Sequence, residues 1–169
     1  MNKGSQFANQ ALLNLIESAA NTLTFLKLET GISISEKIAW IVSRVEYFTT
    51  FNAAIFDASG DHLAFGLSVG NAFAAPSVLE RAILDFNDIA REDLGAAASG
   101  IFSKTPYLKD YSTLPRGGLL VPPAPFYAWC KGTGLTAAAT IHVRLYYTTL
   151  TLTTEDYWEL VESYRPLTA

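Results

Sequence analysis

The stretch Phe126–Leu152, FYAWCKGTGLTAAATIHVRLYYTTLTL, decides the fold class of this chain. Its second half alternates apolar and polar residues with period two, which is typical of a strand with one buried face. The segment Lys131–Gly134, KGTG, lies between the halves and predicts the turn of a hairpin. Because Leu150 and Leu152 fall on the polar side of the alternation, we expect a bulge, a twist or a second covering surface there. The apolar set consists of Ile141, Val143, Leu145 and Tyr147.

The bulk composition predicts one folded domain with a charge-poor surface. A chain of 169 residues is long enough for a full core. Hydrophobic residues make up 50% and aromatic residues 12%, which excludes disorder over most of the length. Charged residues make up only 17%, against roughly 25% in ordinary soluble domains. Either neighbouring subunits cover much of the surface, or a soluble sandwich carries a threonine-rich exterior.

Charge and hydropathy exclude several classes of partner. The net charge is −4, and no basic residue lies between Lys3 and Lys27, so no basic arm exists to neutralise phosphates and no direct nucleic-acid binding is expected. No apolar run reaches the length of a membrane span, so any membrane contact is expected to be indirect. Asn14 and Glu17 interrupt the N-terminal apolar residues, which argues against a signal peptide.

Three segments have helical spacing or capping residues. Apolar residues from Phe7 to Ala19 recur at helical spacing and predict a short N-terminal helix, which either covers one end of the domain or docks on a neighbour. The segment Ser77–Glu80 fits a capping box and predicts an inserted helix over 78–91. Thr153 or Thr154, with acidic residues in the following turn, predicts a C-terminal helix.

Regularly spaced strand patterns fill most of the remaining chain. They predict a mainly β fold, a two-sheet antiparallel sandwich that is jelly-roll-like, with two or three short helices. The expected organisation is an arm or short helix over 1–22, a sandwich over 23–152 that contains the inserted helix 78–91, and a C-terminal helix and tail over 153–169.

The sequence contains few residues that could perform chemistry. His62 and His142 are the two histidines and Cys130 is the single cysteine, so neither a multi-histidine nor a paired-cysteine metal site is expected. Cys130 alternates with apolar residues and is predicted to be a buried structural thiol. No spaced set of acid, base, nucleophile or metal ligands emerges. We therefore expect no catalytic residue, no cofactor, no metal and no enzymatic activity.

Four residues are candidates for contact with a subunit or a ligand. Tyr127 and Trp129 alternate with core positions, so they are predicted to point outward, where they contact a partner or pack under the proline-rich segment 122–125. His142 and Arg144 share the outward side of the next strand. They form either an anion-binding patch or a solvated or interface strand face.

Three stretches read together carry a family resemblance: IAWIVSRVEY over 38–47, PPAPFY over 122–127, and VRLYYT over 143–148 continuing into YWELVE over 157–162. The arrangement resembles small jelly-roll virion proteins of tailless icosahedral viruses, which end with a long strand and a short C-terminal segment. The resemblance covers about half of the chain. The absence of a basic N-terminal arm departs from small RNA-virus coat proteins and fits a shell lined by a membrane or another protein.

The resemblance implies a structural function. The expected protein is a capsid protein that self-assembles into a shell, has itself and other virion proteins as partners, and is located in the virion after assembly in the host cytoplasm. The alternative is a carbohydrate- or ligand-binding β-sandwich module, in which Tyr127 and Trp129 form an aromatic platform. Self-association distinguishes the two, since the binding module is expected to be a monomer.

Overall fold

The computed structural model describes residues 9–28, 36–49, 55–93, 100–104, 108–121 and 126–164, with the backbone alone at 93, 100–104 and 164. These ranges contain ten strands, one α-helix and a short 3-10 turn at Pro115–Gly117. The strands are β1 Asn9–Ile16, β2 Thr24–Leu28, β3 Ile38–Thr49, β4 His62–Ser68, β5 Ile83–Asp93, β6 Gly100–Lys104, β7 Leu108–Asp110, β8 Leu119–Val121, β9 Phe126–Thr133 and β10 Thr140–Thr151, and the helix is α1 Thr154–Tyr164.

The strands form two five-stranded antiparallel sheets. The first sheet has the order β1-β10-β3-β7, with β8 also paired to β3, and the second has the order β2-β9-β4-β5-β6. The prediction of a mainly β, two-sheet antiparallel sandwich is therefore confirmed. No helix in the described ranges has the length and apolarity that a membrane crossing requires.

The main core lies between the two sheets. It takes alternate side chains from facing strands, as expected where each strand buries one face. From β9 the core contains Phe126, Ala128 and Cys130, all with no exposed surface. From β10 it contains Ile141, Val143 and Leu145 of the predicted apolar set, and Tyr147 packs against it partly buried, so both the buried faces and the buried thiol are confirmed.

The predicted hairpin between β9 and β10 is wrong, although both strands exist. β9 pairs with β2 and β4, and β10 pairs with β1 and β3, so the connection 134–139 crosses from the second sheet to the first. Leu135 and Ala139 are buried within this connection. The alternation of side chains reports which face of a strand is buried, but it carries no information on which strand lies beside it.

The predicted N-terminal helix is wrong in its described part, which is strand β1. Its inward residues Leu13 and Leu15 are buried, whereas Leu12 and Ile16 on the other side are exposed. Apolar residues on both faces of a strand produce matches to helical spacing over a short window, because runs of three or four apolar neighbours satisfy both periods.

The predicted helix over 78–91 is also wrong, because residues 83–93 form strand β5. The capping residues do make short-range hydrogen bonds, but within turns. The Leu79 amide donates to Ser77 Oγ at 3.2 Å, and the Ala82 amide donates to Glu80 Oε1 at 3.3 Å. Side chains of this kind stabilise turns as readily as helix starts. Along β5 the burial pattern has period two.

The C-terminal helix is confirmed, and it explains the apolar residues at the end of β10. Thr153 Oγ1 accepts a hydrogen bond from the Asp156 amide at 3.1 Å, which caps α1. Leu150 and Leu152 lie with Tyr157 of this helix in a second apolar cluster on the far side of the first sheet. A second covering surface was one of the expected solutions, and α1 provides it.

The pairing of β3 with β10 also contains a register shift, and the extra residue belongs to β3 and not to β10. Tyr146 lies opposite Arg44, while the next residue, Tyr147, lies opposite Val42. Ser43 is therefore the extra residue of a bulge, and its hydroxyl donates to the Tyr146 carbonyl at 3.2 Å. The bulge keeps the apolar residues of β3 directed inward on both sides of it.

Candidate functional site

The side of the first sheet that faces away from the core is divided into two halves. α1 covers the half beyond the bulge. The other half, which we call the outer face, is formed by outward side chains of four neighbouring strands and is not covered by any described residue. Its residues are Leu12, Asn14 and Ile16 of β1, His142, Arg144 and Tyr146 of β10, Arg44, Glu46 and Phe48 of β3, and Leu108 of β7.

The strand registers align these side chains in rows across the sheet. In one row Leu12 lies opposite Arg144, which lies opposite Glu46, and Glu46 lies opposite Leu108. In the next row His142 lies between Asn14 and Phe48. Directly opposed residues on one face of a sheet are close enough to interact. The first row therefore has charged groups at its centre and leucines at its ends, and the second row ends in an aromatic residue on the β3 side.

Glu46 is the centre of the charge network on the outer face. Its carboxylate forms ion pairs with Arg44 at 2.6 Å and Arg144 at 3.3 Å, and it accepts a hydrogen bond from the Tyr146 hydroxyl at 3.2 Å. Hydrogen bonding to Tyr146, then attraction to that tyrosine and to Glu46, raises the pKa of Arg144. Exposed ion pairs contribute little to stability, but this network fixes the side chains and neutralises much of the local charge.

The two arginines also pack on aromatic rings. The Arg44 guanidinium carbon lies 5.5 Å from the centre of the Tyr146 ring, and that of Arg144 lies 5.3 Å from the centre of the Phe48 ring. Both distances are within the range of cation–π attraction. The cations are thus held flat against the sheet by their own neighbours.

Large apolar side chains are exposed around this network. Leu12 is 71% exposed, Ile16 55%, Phe48 49% and Leu108 45%. A depression of about 430 Å³ lies between β1, β10 and β3 and includes Leu12 and Phe48 in its lining. Exposed apolar groups clustered around charges that ion pairs hold in place are typical of a protein–protein contact surface.

The structure places the predicted contact residues on opposite sides of the molecule. His142 and Arg144 lie together on the outer face, as their shared strand side required. Tyr127 and Trp129 lie on the far side of the second sheet, away from the core. Sequence alternation thus assigned all four to the correct side of their strands.

The expectation that Trp129 is accessible is wrong, because it is only 1% exposed. Its ring lies 5.8 Å from that of Phe73 and 5.6 Å from that of Phe86, within a small apolar cluster that the 69–82 segment helps to form. The proline-rich segment 122–125, the other expected cover, lies outside the described residues. Alternation identifies the face of a strand, but it does not report whether a distant loop covers that face.

The residues that the sequence analysis missed on this surface are Glu46, Arg44, Phe48 and Leu12. The alternation in the second half of β3 did place Arg44 and Glu46 on one side. Their meeting with Arg144 depends on β3 and β10 being neighbours, and these strands are about one hundred residues apart in the chain. A single sequence contains no local signal for such a pairing.

A buried polar cluster links the two sheets. Asp85 of β5 accepts a hydrogen bond from the Tyr47 hydroxyl at 2.5 Å and from Asn87 Nδ2 at 3.2 Å, and it forms an ion pair with Lys109 at 3.5 Å. Burial and the negative charge of Asp85 raise the pKa of Tyr47 well above its ordinary value. Since the carboxylate is buried and surrounded by donors, this cluster is explained as a structural tie between the sheets.

No group of three or more histidine, cysteine, aspartate or glutamate side chains in the described residues is placed to hold a metal ion. Cys130 is fully buried. Desolvation, and then the negative charge of Glu17, raises the pKa of its thiol to about 12 from an ordinary value of 9.0. A thiol in this state is a poor nucleophile at neutral pH, because the thiolate is the reactive form.

The burial of Cys130 and the raised pKa of its thiol predict slow reaction with thiol reagents. Native protein at pH 8 is expected to react with a thiol reagent at least about a hundredfold more slowly than the denatured chain, because both burial and the raised pKa suppress the thiolate. Since the folded pKa is raised, the stabilisation from burying the neutral thiol is complete below pH 9 and is lost as the pH rises from 9 towards 12. Labelling followed by mass spectrometry measures the rates; comparable rates in the native and denatured states would contradict the prediction.

No protein-family model matches this sequence, and no curated protein matches it either.

Proposed function

We propose that this protein is a virion shell protein with a jelly-roll fold, which self-assembles through charge-poor surfaces of its β-sandwich. Its partners are other copies of itself and other virion proteins, and its location is the virion, assembled in the host cytoplasm. The net charge of −4 supports a shell that does not contact nucleic acid directly. Any membrane contact is indirect.

The order of strands in the two sheets is the observation that carries the jelly-roll proposal. β10, the last strand, lies between β1 and β3, and β9 lies between β2 and β4. The chain therefore alternates between the sheets at both ends of the sequence, with late strands inserted between early ones. Two Greek keys wrapped into two sheets produce nesting of this kind, so the strand order supports the proposal of a jelly roll, an arrangement used by viral capsid domains, lectin domains and cupins.

The outer face supports the proposal of a shell protein among the users of this arrangement. A shell subunit needs contact surfaces of low charge, and the outer face has exposed apolar residues around a network in which Glu46 pairs with both arginines. The low overall content of charged residues, 17%, extends the same property to the whole chain. Arginine and aromatic residues, both present here, are enriched in interface cores.

The carbohydrate- or ligand-binding alternative required an exposed aromatic pair. Trp129 is buried beneath its neighbours, so Tyr127 alone, half-buried, is left to form such a platform. We therefore propose the shell function ahead of that alternative.

The assembly proposal predicts a specific effect of a charge on the outer face. Phe48→Lys places an ammonium group at an exposed apolar position beside Arg144, so larger assemblies of the wild-type protein are expected to dissociate. Like charges brought together at an interface cost several kcal/mol. Thr133→Lys, at an exposed position on the second sheet, is the matched control and is expected to assemble like the wild type.

Light scattering coupled to size-exclusion chromatography measures this effect, and circular dichroism checks that both variants are folded. A wild-type protein that remains strictly monomeric at the highest soluble concentration would contradict self-assembly. If Phe48→Lys and the wild type assemble equally, the outer face is not one of the contact surfaces.

A further inference from the structure

We propose that the edge of β1 with which no described strand pairs forms an antiparallel pair with β1 of a second copy of this chain, across a two-fold axis. The first sheets of two chains would then form one continuous sheet. The inference deepens the proposed shell function by naming one contact and its partner. It is argued from the edge itself.

β1 lacks the features that protect natural sheet edges. It pairs with β10 in unbroken register over all eight of its residues, without a bulge. No described residue pairs with its other side. Its sequence, NQALLNLI, contains no charged residue, no proline and no glycine. Long, regular, uncharged edges with apolar side chains pair readily with other strands, so an edge of this kind is expected to have a partner.

The other described edges of the two sheets are protected. β2 has five residues and contains Lys27. At the far edge of the first sheet, β7 and β8 have three residues each, and β7 contains Lys109 and Asp110. β6 has five residues and ends at Lys104. Short strands and charged residues are the usual means of blocking edge pairing, and β1 is the described edge that has neither.

A second copy of the chain fits this edge better than an unrelated strand does. A two-fold axis places each residue opposite a residue of the same strand, so a charged edge would meet its own charge, whereas an uncharged edge meets none. Opposed residues in an antiparallel pair also point to the same side. Self-pairing about Leu12, Leu13 or Asn14 therefore continues both the buried inner side of β1 and the apolar outer face.

Disulfide cross-linking tests this pairing. Directly opposed residues in an antiparallel pair have Cα atoms about 4.5–5.5 Å apart, within the range of a disulfide, whereas diagonal neighbours are too distant. Leu12→Cys and Asn14→Cys lie on the outward side of β1, and the native Cys130 is buried and does not compete. The residue at the axis decides which cross-link forms. With the axis at Leu12, Leu12→Cys cross-links to its own copy, and with the axis at Asn14, Asn14→Cys does so. With the axis at Leu13, residues 12 and 14 are opposed, so a mixture of the two variants cross-links.

We expect one of these three combinations to give covalent dimer on a non-reducing gel, at least about tenfold above the control. The control is Leu79→Cys, which is 87% exposed in the 69–82 segment beside the second sheet. Cross-linking by none of the three, or equal cross-linking by the control, would overturn the proposal. If β1 pairs with a different protein, none of the three combinations would cross-link.

A charge on the edge provides a second readout. Asn14→Lys places a charged side chain in the paired edge of each copy, and lysine on an edge strand opposes pairing, so the population of dimers measured by light scattering is expected to fall at least about tenfold at equal concentration. An unchanged dimer in this variant would contradict edge pairing. If cross-linked dimers form but shells do not, edge pairing is supported and the shell function is contradicted. If shells form without cross-links, only edge pairing is contradicted.

Discussion

Replacing Trp129 with alanine is expected to lower the free energy of unfolding by about 3–5 kcal/mol, the range for removing a large buried aromatic side chain. The indole is 1% exposed and contacts Phe73, Phe86 and the backbone of β4. A Cβ atom added at Gly66 would come within 3.1 Å of the indole ring. The indole therefore packs closely against β4 at Gly66, and its removal leaves a cavity beside this strand.

Chemical denaturation monitored by far-UV circular dichroism measures the loss. Trp158→Ala is the matched control, because this tryptophan lies on α1 and is 54% exposed. Its expected cost is about 0.5 kcal/mol or less, as for other surface substitutions. Equal costs for the two variants would show that the apolar cluster beside the second sheet does not stabilise the fold.

Glu17→Ala is expected to cost about 2–5 kcal/mol, because it leaves two buried backbone amides without acceptors. Glu17 Oε1 accepts from the Gly132 amide at 2.5 Å, and Oε2 accepts from the Ala139 amide at 2.8 Å. The carboxylate is only 3% exposed. It thus holds both ends of the connection that carries the chain from the second sheet to the first.

Hydrogen exchange at the Gly132 and Ala139 amides checks the mechanism alongside the denaturation measurement. Both amides are expected to exchange faster in Glu17→Ala, while amides in the centre of β4 lose only the protection that the global loss of stability explains. Glu159→Ala, on the exposed side of α1, serves as the control and is expected to change stability by about 0.5 kcal/mol or less. Unchanged exchange at Ala139 would contradict the role assigned to Glu17.

The side of each strand that is buried was largely predictable from the sequence, because burial of one face imposes a period of two on the residues themselves. The alternation in β10 identified its core residues, and the same rule placed Cys130 in the core. The start of α1 was also predictable, because Thr153 acts within its own turn of helix. These features depend on residues close together in the chain.

The errors have a common physical cause, which is that partners distant in the chain leave no local pattern. β9 and β10 were expected to pair with each other because a turn lies between them, but each finds its neighbours elsewhere. Residues 78–91 combine a capping motif with apolar spacing that suits a helix, yet the β5 portion pairs with β4. Tertiary pairing overrides such local preferences. The contacts of Glu46 on the outer face could not be predicted for the same reason.

Electron microscopy of the purified full-length protein tests the central claim most directly. The account predicts closed shells, or fragments of them, in which the sandwich repeats with regular symmetry and β1 lies beside a two-fold axis. A uniform field of single particles of about 18.4 kDa, at concentrations where light scattering also reports a monomer, would contradict it.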